Sequence, residues 1–186
     1  MTSRVLGLVG SGAGGVEDLL PKLIRPAQAA GWTVAVTLTP TAGSWLAESG
    51  ALAEIEDATG YPVRVEPRSP SERSPHPAPD CYLVAPASAN VVAKMSLGVA
   101  DNQALTQVNE AIGTHNLPVV VFPRVNAAHA RQPFWEMHIE NLRRVGVYLL
   151  YGDDVWPLHE PRSAPGRDLP WSAMLDAIEK AVPAGR

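Results

Sequence analysis

The stretch CYLVAPASANVVAKMSLGV, residues 81–99, decides how the chain is read. Its first five residues are apolar without alternation, as in a strand buried on both faces of a sheet. Pro86-Ala87-Ser88-Ala89-Asn90 then breaks the run with small and polar residues, and residues 91–99 have helical spacing. A second apolar run, residues 118–122, opens into Pro123-Arg124-Val125-Asn126. Two such strands place two carboxamide-bearing loops at one carboxyl edge of a parallel sheet, where ligands of open α/β sheets bind. The pairing points to a flat ligand with a small acid beside it.

Further strand-like runs lie at residues 5–9, 33–38, 62–65 and 147–151, mostly separated by helix-length segments. This predicts an α/β fold: a Rossmann-like, flavodoxin-like three-layer sandwich with a central parallel sheet, in a single domain over residues 1–186. The helix after Gly15 should be kinked or split, because Pro21 and Pro26 remove donors and clash one turn back. Residues 132–145 read as a cleaner helix, with Pro133 in its first turn, Trp135, Ile139 and Leu142 on one face, and Gly146 as a stop. Residues 171–182 suit a closing helix. The five prolines within residues 66–80 predict an irregular loop. Residues 152–170 mix Gly, Pro, Asp and Arg around Trp156 and Leu158, and are expected to form a mobile clamp whose Trp156 contacts a substrate.

Composition excludes several classes. The chain has 186 residues, a formal net charge of −4 and one cysteine, Cys81. No Lys/Arg cluster offers the basic face that nucleic-acid binding needs. No apolar run approaches the length of a membrane span, and no signal segment precedes the first strand, so a cytoplasmic protein is expected. A single thiol excludes an internal disulfide framework. Cys81 heads a buried strand and reads as a packed core residue rather than a redox catalyst. No metal site is expected.

After the first strand comes Gly10-Ser11-Gly12-Ala13-Gly14-Gly15. Such a strand-to-helix turn lets backbone N–H groups approach a phosphate. The spacing matches neither the dinucleotide fingerprint nor the P-loop. The second strand ends in Thr39-Pro40-Thr41, whose hydroxyls can donate to a phosphate, rather than in an acid that would grip a ribose. FMN fits this set better than NAD, with Gly10, Ser11, Gly12, Ala13, Thr39 and Thr41 as phosphate contacts; the alternative is a tight turn with no ligand.

Taken singly, Ser88, Asn90 and Asn126 read as helix caps. In their order and surroundings, the two loops resemble those of the homo-oligomeric flavin-containing cysteine decarboxylases. The family signatures are a Pro-Ala-Ser-Ala-Asn-Thr loop and a Pro-x-Met-Asn-x-x-Met-Trp loop. Here the first stands as Pro86-Ala87-Ser88-Ala89-Asn90-Val91, followed by Lys94, Gly98 and Asp101-Asn102. The second stands as Pro123-Arg124-Val125-Asn126-Ala127-Ala128-His129-Ala130 and keeps only its Pro and Asn. The resemblance runs from Val5 to about Val147. It implies trimers or assemblies of trimers with FMN at the subunit boundary, and Pro86, Ala87, Ser88, Ala89 and Asn90 beside the flavin ring. It also implies that Asn126 holds a substrate carboxylate. The implied reaction is oxidation of the thiol-bearing carbon of a cysteine by flavin, after which CO₂ leaves as charge moves onto sulfur.

Departures from the family pattern bear on the site. The family's catalytic His falls, by counting, at Glu72; a four-residue deletion in the proline-rich loop would give its role to His76. His129 stands where a Met is usual and is a candidate substrate contact. Phosphopantothenoylcysteine decarboxylases in the family use a cysteine after the sixth strand to reduce the product, and residues 152–170 contain none. The reading favoured is therefore oxidative decarboxylation of the C-terminal cysteine of a ribosomally made precursor peptide to an aminoenethiol. Alternatives are a phosphopantothenoylcysteine decarboxylase-like enzyme, a flavin prenyltransferase using Arg124 and Arg131, and a non-catalytic flavin-binding regulatory subunit.

Overall fold

The computed structural model describes residues 4–164 and 166–182. Five strands form one sheet: β1 (Arg4–Gly10), β2 (Trp32–Leu38), β3 (Cys81–Ala87), β4 (Val119–Pro123) and β5 (Tyr148–Leu149). Their order is β2-β1-β3-β4-β5, and every pairing is parallel. The expected α/β sandwich with a central parallel sheet is the architecture observed.

Eight α-helices cover the sheet: α1 (Arg25–Ala29), α2 (Pro40–Ser49), α3 (Ala51–Thr59), α4 (Ala89–Ser96), α5 (Gln103–Gly113), α6 (Ala127–Ala130), α7 (Trp135–Arg144) and α8 (Trp171–Ala181). On one face, Leu6, Leu8, Cys81, Leu83, Val120 and Phe122 pack against residues 19–24, α2, α3 and α8. On the other, Val9, Val84, Val119 and Val121 pack against α4, α5 and α7. Each strand thus feeds two cores, which is why its sequence is apolar at consecutive positions. Cys81 is fully buried, and burial pushes its thiol up to about 12. It is a core residue and not a nucleophile at neutral pH.

The segment after Gly15 is broken, as its prolines require. A 3₁₀ turn at Val16–Asp18 leads into a π-helical turn at Leu20–Ile24 and then α1. Pro26 has no N–H, and the Arg25 N–H reaches back five residues to the Leu20 carbonyl.

Three element boundaries depart from the sequence expectation. Residues 62–65 do not make a strand. Arg64 alone bridges to β2, donating to Val36 O and accepting from Leu38 N, because Pro62 and Pro67 flank it without donors. The run at 147–151 contracts to the two-residue edge strand β5. The helix expected from residue 132 starts at Trp135; Gln132 turns its side chain to cap the Phe134 N–H, so Pro133 lies ahead of the first turn. No helix among the described residues is long and apolar enough to cross a membrane.

Candidate functional site

At the carboxyl edge of the sheet lies a cleft of about 690 Å³. Four strand ends build it. Gly12, Ala13 and Gly14 follow β1, Thr39, Pro40 and Thr41 follow β2, and Ser88, Ala89 and Asn90 follow β3. The loop after β4 adds Arg124, Val125, Asn126 and His129, and Lys94, Asp101 and Asn102 complete the lining.

The first signature loop is clasped to the glycine turn by one buried hydroxyl. Ser11 Oγ donates to Pro86 O at 2.7 Å and accepts from the Ser88 N–H at 2.8 Å, while the Ser11 N–H also reaches Pro86 O. Ser11 was expected to touch a phosphate; its hydrogen-bonding capacity is spent inside the fold instead, and it does not line the cleft. Gly10, Pro86 and Ala87 likewise lie buried beneath the cleft floor, as the last residues of their strands. Gly12, Ala13, Thr39, Thr41, Ser88, Ala89 and Asn90 are the members of the expected cofactor set that face it. At Gly12 a Cβ would come within 2.7 Å of Thr41 Cγ2, so only glycine lets this turn close on the second strand's loop.

Helix capping and ligand contact coincide here. Ser88 caps α4 by accepting from the Val91 N–H, and Asn126 caps α6 by accepting from the His129 N–H at 3.0 Å. Asn90 is no cap: it sits exposed in the first turn of α4, on the cleft wall.

Arg124 was assigned no place beside FMN from the sequence. It lines the cleft with its Nη2 beside Gly14, 3.9 Å from where a Gly14 Cβ would lie. Its Nε is buried with no hydrogen-bond partner. No carboxylate lies within ion-pair distance of it among the described residues; burial and the neighbouring Arg167 press its pKa down, opposed by the more weakly felt charge of Glu17. Trp156 holds it, with the Arg124 guanidinium 4.7 Å and the Arg167 guanidinium 4.0 Å from the indole centre. The signal available in sequence was Arg124's place one residue after the β4 strand.

That contact relocates Trp156. Expected on a mobile clamp, it is 8% exposed, stands edge-on to Phe122, and donates from its indole N–H to Asp168 O. It faces the core rather than the cleft, because an indole beneath a strand end buries more apolar surface than one on a free loop. The segment around it is tied at several points. His159 O accepts from the Ala127 N–H, Glu160 pairs with Arg131, and Asp168 pairs with Lys22 and accepts from Trp171.

His76 lies elsewhere. It lines a separate cavity of about 230 Å³ with Gly7, Ala35, Thr37, Tyr82 and Gln107. Its Nε2 is 2.7 Å from Pro62 O, and Tyr61 meets its ring edge-on. Burial, reinforced by the charge of Arg64 and opposed by the Pro62 contact, moves its pKa below the ordinary value. Within one chain, His76 and Asn126 do not share a cavity.

A family model described as Flavoprotein matches residues 3–182. The chain belongs to the flavoprotein family. It is 27% identical over 128 residues to the coenzyme A biosynthesis bifunctional protein CoaBC of Thermococcus kodakarensis, spanning 69% of this chain but 27% of that protein's length. Among solved structures, this flavoprotein superposes on the FMN-binding protein AtHal3 with a TM-score of 0.71 at 17% identity, covering 99% of each chain. It superposes on the FMN-dependent cysteine decarboxylase SpaF with a TM-score of 0.65 at 21% identity, covering 97% of each.

Proposed function

We propose that this flavoprotein binds FMN and uses it to decarboxylate oxidatively the C-terminal cysteine of a ribosomally made precursor peptide, releasing an aminoenethiol product. One observation carries the reading: a glycine turn with an unpaired guanidinium and a carboxamide loop facing the Ser88–Asn90 corner open into one cleft. The residues fit the group. The phosphate would lie between the Gly12–Gly14 backbone, Thr39, Thr41 and Arg124, which supplies the positive charge a dianion needs. The ring would lie along Ser88, Ala89 and Asn90. Bound there, FMN supplies the two-electron acceptor that a cysteine lacks beside its carboxylate.

The protein's part is grip and exclusion of water. Asn126 has its carbonyl oxygen engaged in the α6 cap, which leaves its NH₂ to donate to a carboxylate. A neutral amide holds that group without a counter-charge that would oppose loss of CO₂. The relatives support a decarboxylase; the peptide substrate and the oxidative outcome rest on the thiol inventory. Cys81 is the chain's one cysteine and lies in the core, so no thiol stands by to reduce the product. Phosphopantothenoylcysteine is the second reading, favoured by the likeness to the Thermococcus coenzyme A protein.

Self-association is part of the proposal. The cleft opens to solvent, and Leu97, Phe134 and Met137 on and beside α4 and α7 are 60%, 59% and 41% exposed. A trimer would bury such apolar surface and cover the flavin's open side. The test is incubation of the FMN-loaded protein with a peptide ending in Cys, with the same peptide as its C-terminal amide, and with phosphopantothenoylcysteine, each followed by mass spectrometry. Loss of CO₂ and two hydrogens from the free-acid peptide alone supports the proposal. Loss of CO₂ from phosphopantothenoylcysteine alone supports the second reading, and no reaction in any arm refutes both.

A further inference from the structure

His129 occupies a position that the proposed reaction leaves without a role. Its ring and backbone converge on the same acceptor: Asn126 Oδ1 lies 3.0 Å from the His129 N–H and 3.1 Å from His129 Nδ1. A backbone N–H can only donate, so the Asn126 atom it meets must be the carbonyl oxygen and not the NH₂. Nδ1 meets that same oxygen and must therefore carry a hydrogen. In the neutral imidazole the remaining nitrogen, Nε2, then holds the lone pair. Nε2 has no hydrogen-bond partner among the described residues, and His129 lines the cleft beside Asn126, Asn90 and Lys94. Of the charged groups around it, Arg131 is paired with Glu160 and Lys94 with Asp101, while Arg124 of the same cleft forms no ion pair among the described residues.

We infer that His129 fixes Asn126 as a carboxylate donor through Nδ1–H and accepts the substrate's thiol proton on Nε2. The inference rests on the cysteine-decarboxylase reading for its substrate, but its hydrogen-bond half stands on this chain's own atoms. In the proton step the S–H bond breaks and an Nε2–H bond forms, giving a thiolate and an imidazolium whose Nδ1–H still holds Asn126. The carboxylate and the thiol of one cysteine are thereby met by two adjacent side chains of one loop. His76 is not required for this step, since it faces another cavity and has its Nε2 against Pro62 O.

The first measurement needs no turnover. In the FMN-loaded protein labelled with ¹⁵N at histidine, long-range ¹H–¹⁵N correlation reads the tautomer of His129, assigned by its loss in His129→Asn. A hydrogen on Nδ1 is expected, and an Nε2–H tautomer with bare Nδ1 overturns the inference. The second measurement splits binding from proton transfer. Asn presents its NH₂ where Nδ1–H stood, whereas Gln reaches toward the Nε2 position. His129→Asn should keep KM within a few-fold while kcat falls about a hundredfold or more, the loss typical of a missing general base. His129→Gln should lose kcat similarly and raise KM as well. Equal KM in both variants overturns the positioning role. Unchanged kcat in both, with His76→Asn inactive, assigns the base to His76 of a neighbouring copy and overturns the proton role. A wild-type protein inert toward every cysteine substrate defeats the decarboxylase reading and the proton role with it, while the tautomer still decides the Asn126 lock.

Discussion

Replacing Arg124 by Gln should weaken FMN far more than riboflavin. Arg124 enters the cleft at Gly14 with an unpaired Nε, and among the described residues it forms no ion pair, Glu17 acting on it only through its charge. A hydrogen bond to a charged group contributes about 1.5–3 kcal/mol. At about 1.4 kcal/mol per tenfold, losing one such bond to a phosphate weakens binding about 10- to 150-fold. Riboflavin has the same ring and ribityl chain without the phosphate, so its affinity should change by no more than a few-fold. The substitution also removes the stack on Trp156 4.7 Å away, which contributes about 0.5–2 kcal/mol to the fold. That loss appears in thermal unfolding of the apo-protein and falls on both ligands alike. The assay is quenching of flavin fluorescence on titration into apo-protein at low and high salt. The wild-type preference for FMN should shrink as salt rises, and the variant should show little salt dependence. Equal losses for FMN and riboflavin, or no loss for either, would refute the assignment of Arg124 to the phosphate.

Asn126→Ala should leave the flavin bound and raise KM for a cysteine-terminated peptide about tenfold or more, the cost of one charge-assisted hydrogen bond; unchanged turnover would place the carboxylate elsewhere. Trp156→Ala opens a cavity beneath Phe122 and strands two guanidinium groups, so stability should fall by about 3–5 kcal/mol in urea unfolding. A loss of peptide affinity with intact stability would restore Trp156 as a substrate contact. Cys81→Ala should keep full turnover with a modestly lowered Tm, because burial holds this thiol near 12 and away from the cleft. Loss of turnover in a folded Cys81→Ala protein would reopen a redox role.

The strands were legible because burial on both faces writes an uninterrupted apolar run, as at Leu83–Val84–Ala85 and Val120–Val121–Phe122. The loops were legible because small residues and caps suit a tight turn from a strand into a helix. Edges were harder to read. Arg64 makes one rung of a strand that its flanking prolines stop, and β5 shortens where a single neighbour leaves half its groups unpaired. Side-chain roles inside the loops depended on partners distant in sequence. Ser11 looks like a phosphate ligand until Pro86 and Ser88 claim both ends of its hydroxyl, 75 and 77 residues away. Arg124 acquires significance only once the fold shows its Nε buried without a partner, and Trp156 only once Phe122 and two arginines surround it. His76 was chosen by its distance from a motif, a one-dimensional measure blind to which cavity a proline-rich loop would enter.

In the proposed reaction, FMN bound in this cleft takes two electrons from a C-terminal cysteine. Anaerobic addition of a cysteine-terminated peptide to the FMN-loaded protein, followed by visible absorption, reads this electron transfer. The oxidised flavin should bleach in proportion to peptide added, CO₂ should be released in step, and the yellow colour should return with air. The same peptide ending in Ser or carrying a C-terminal amide should cause no bleaching. Release of CO₂ with the flavin remaining oxidised throughout, or bleaching that ignores the terminal carboxylate, would contradict the proposed reaction.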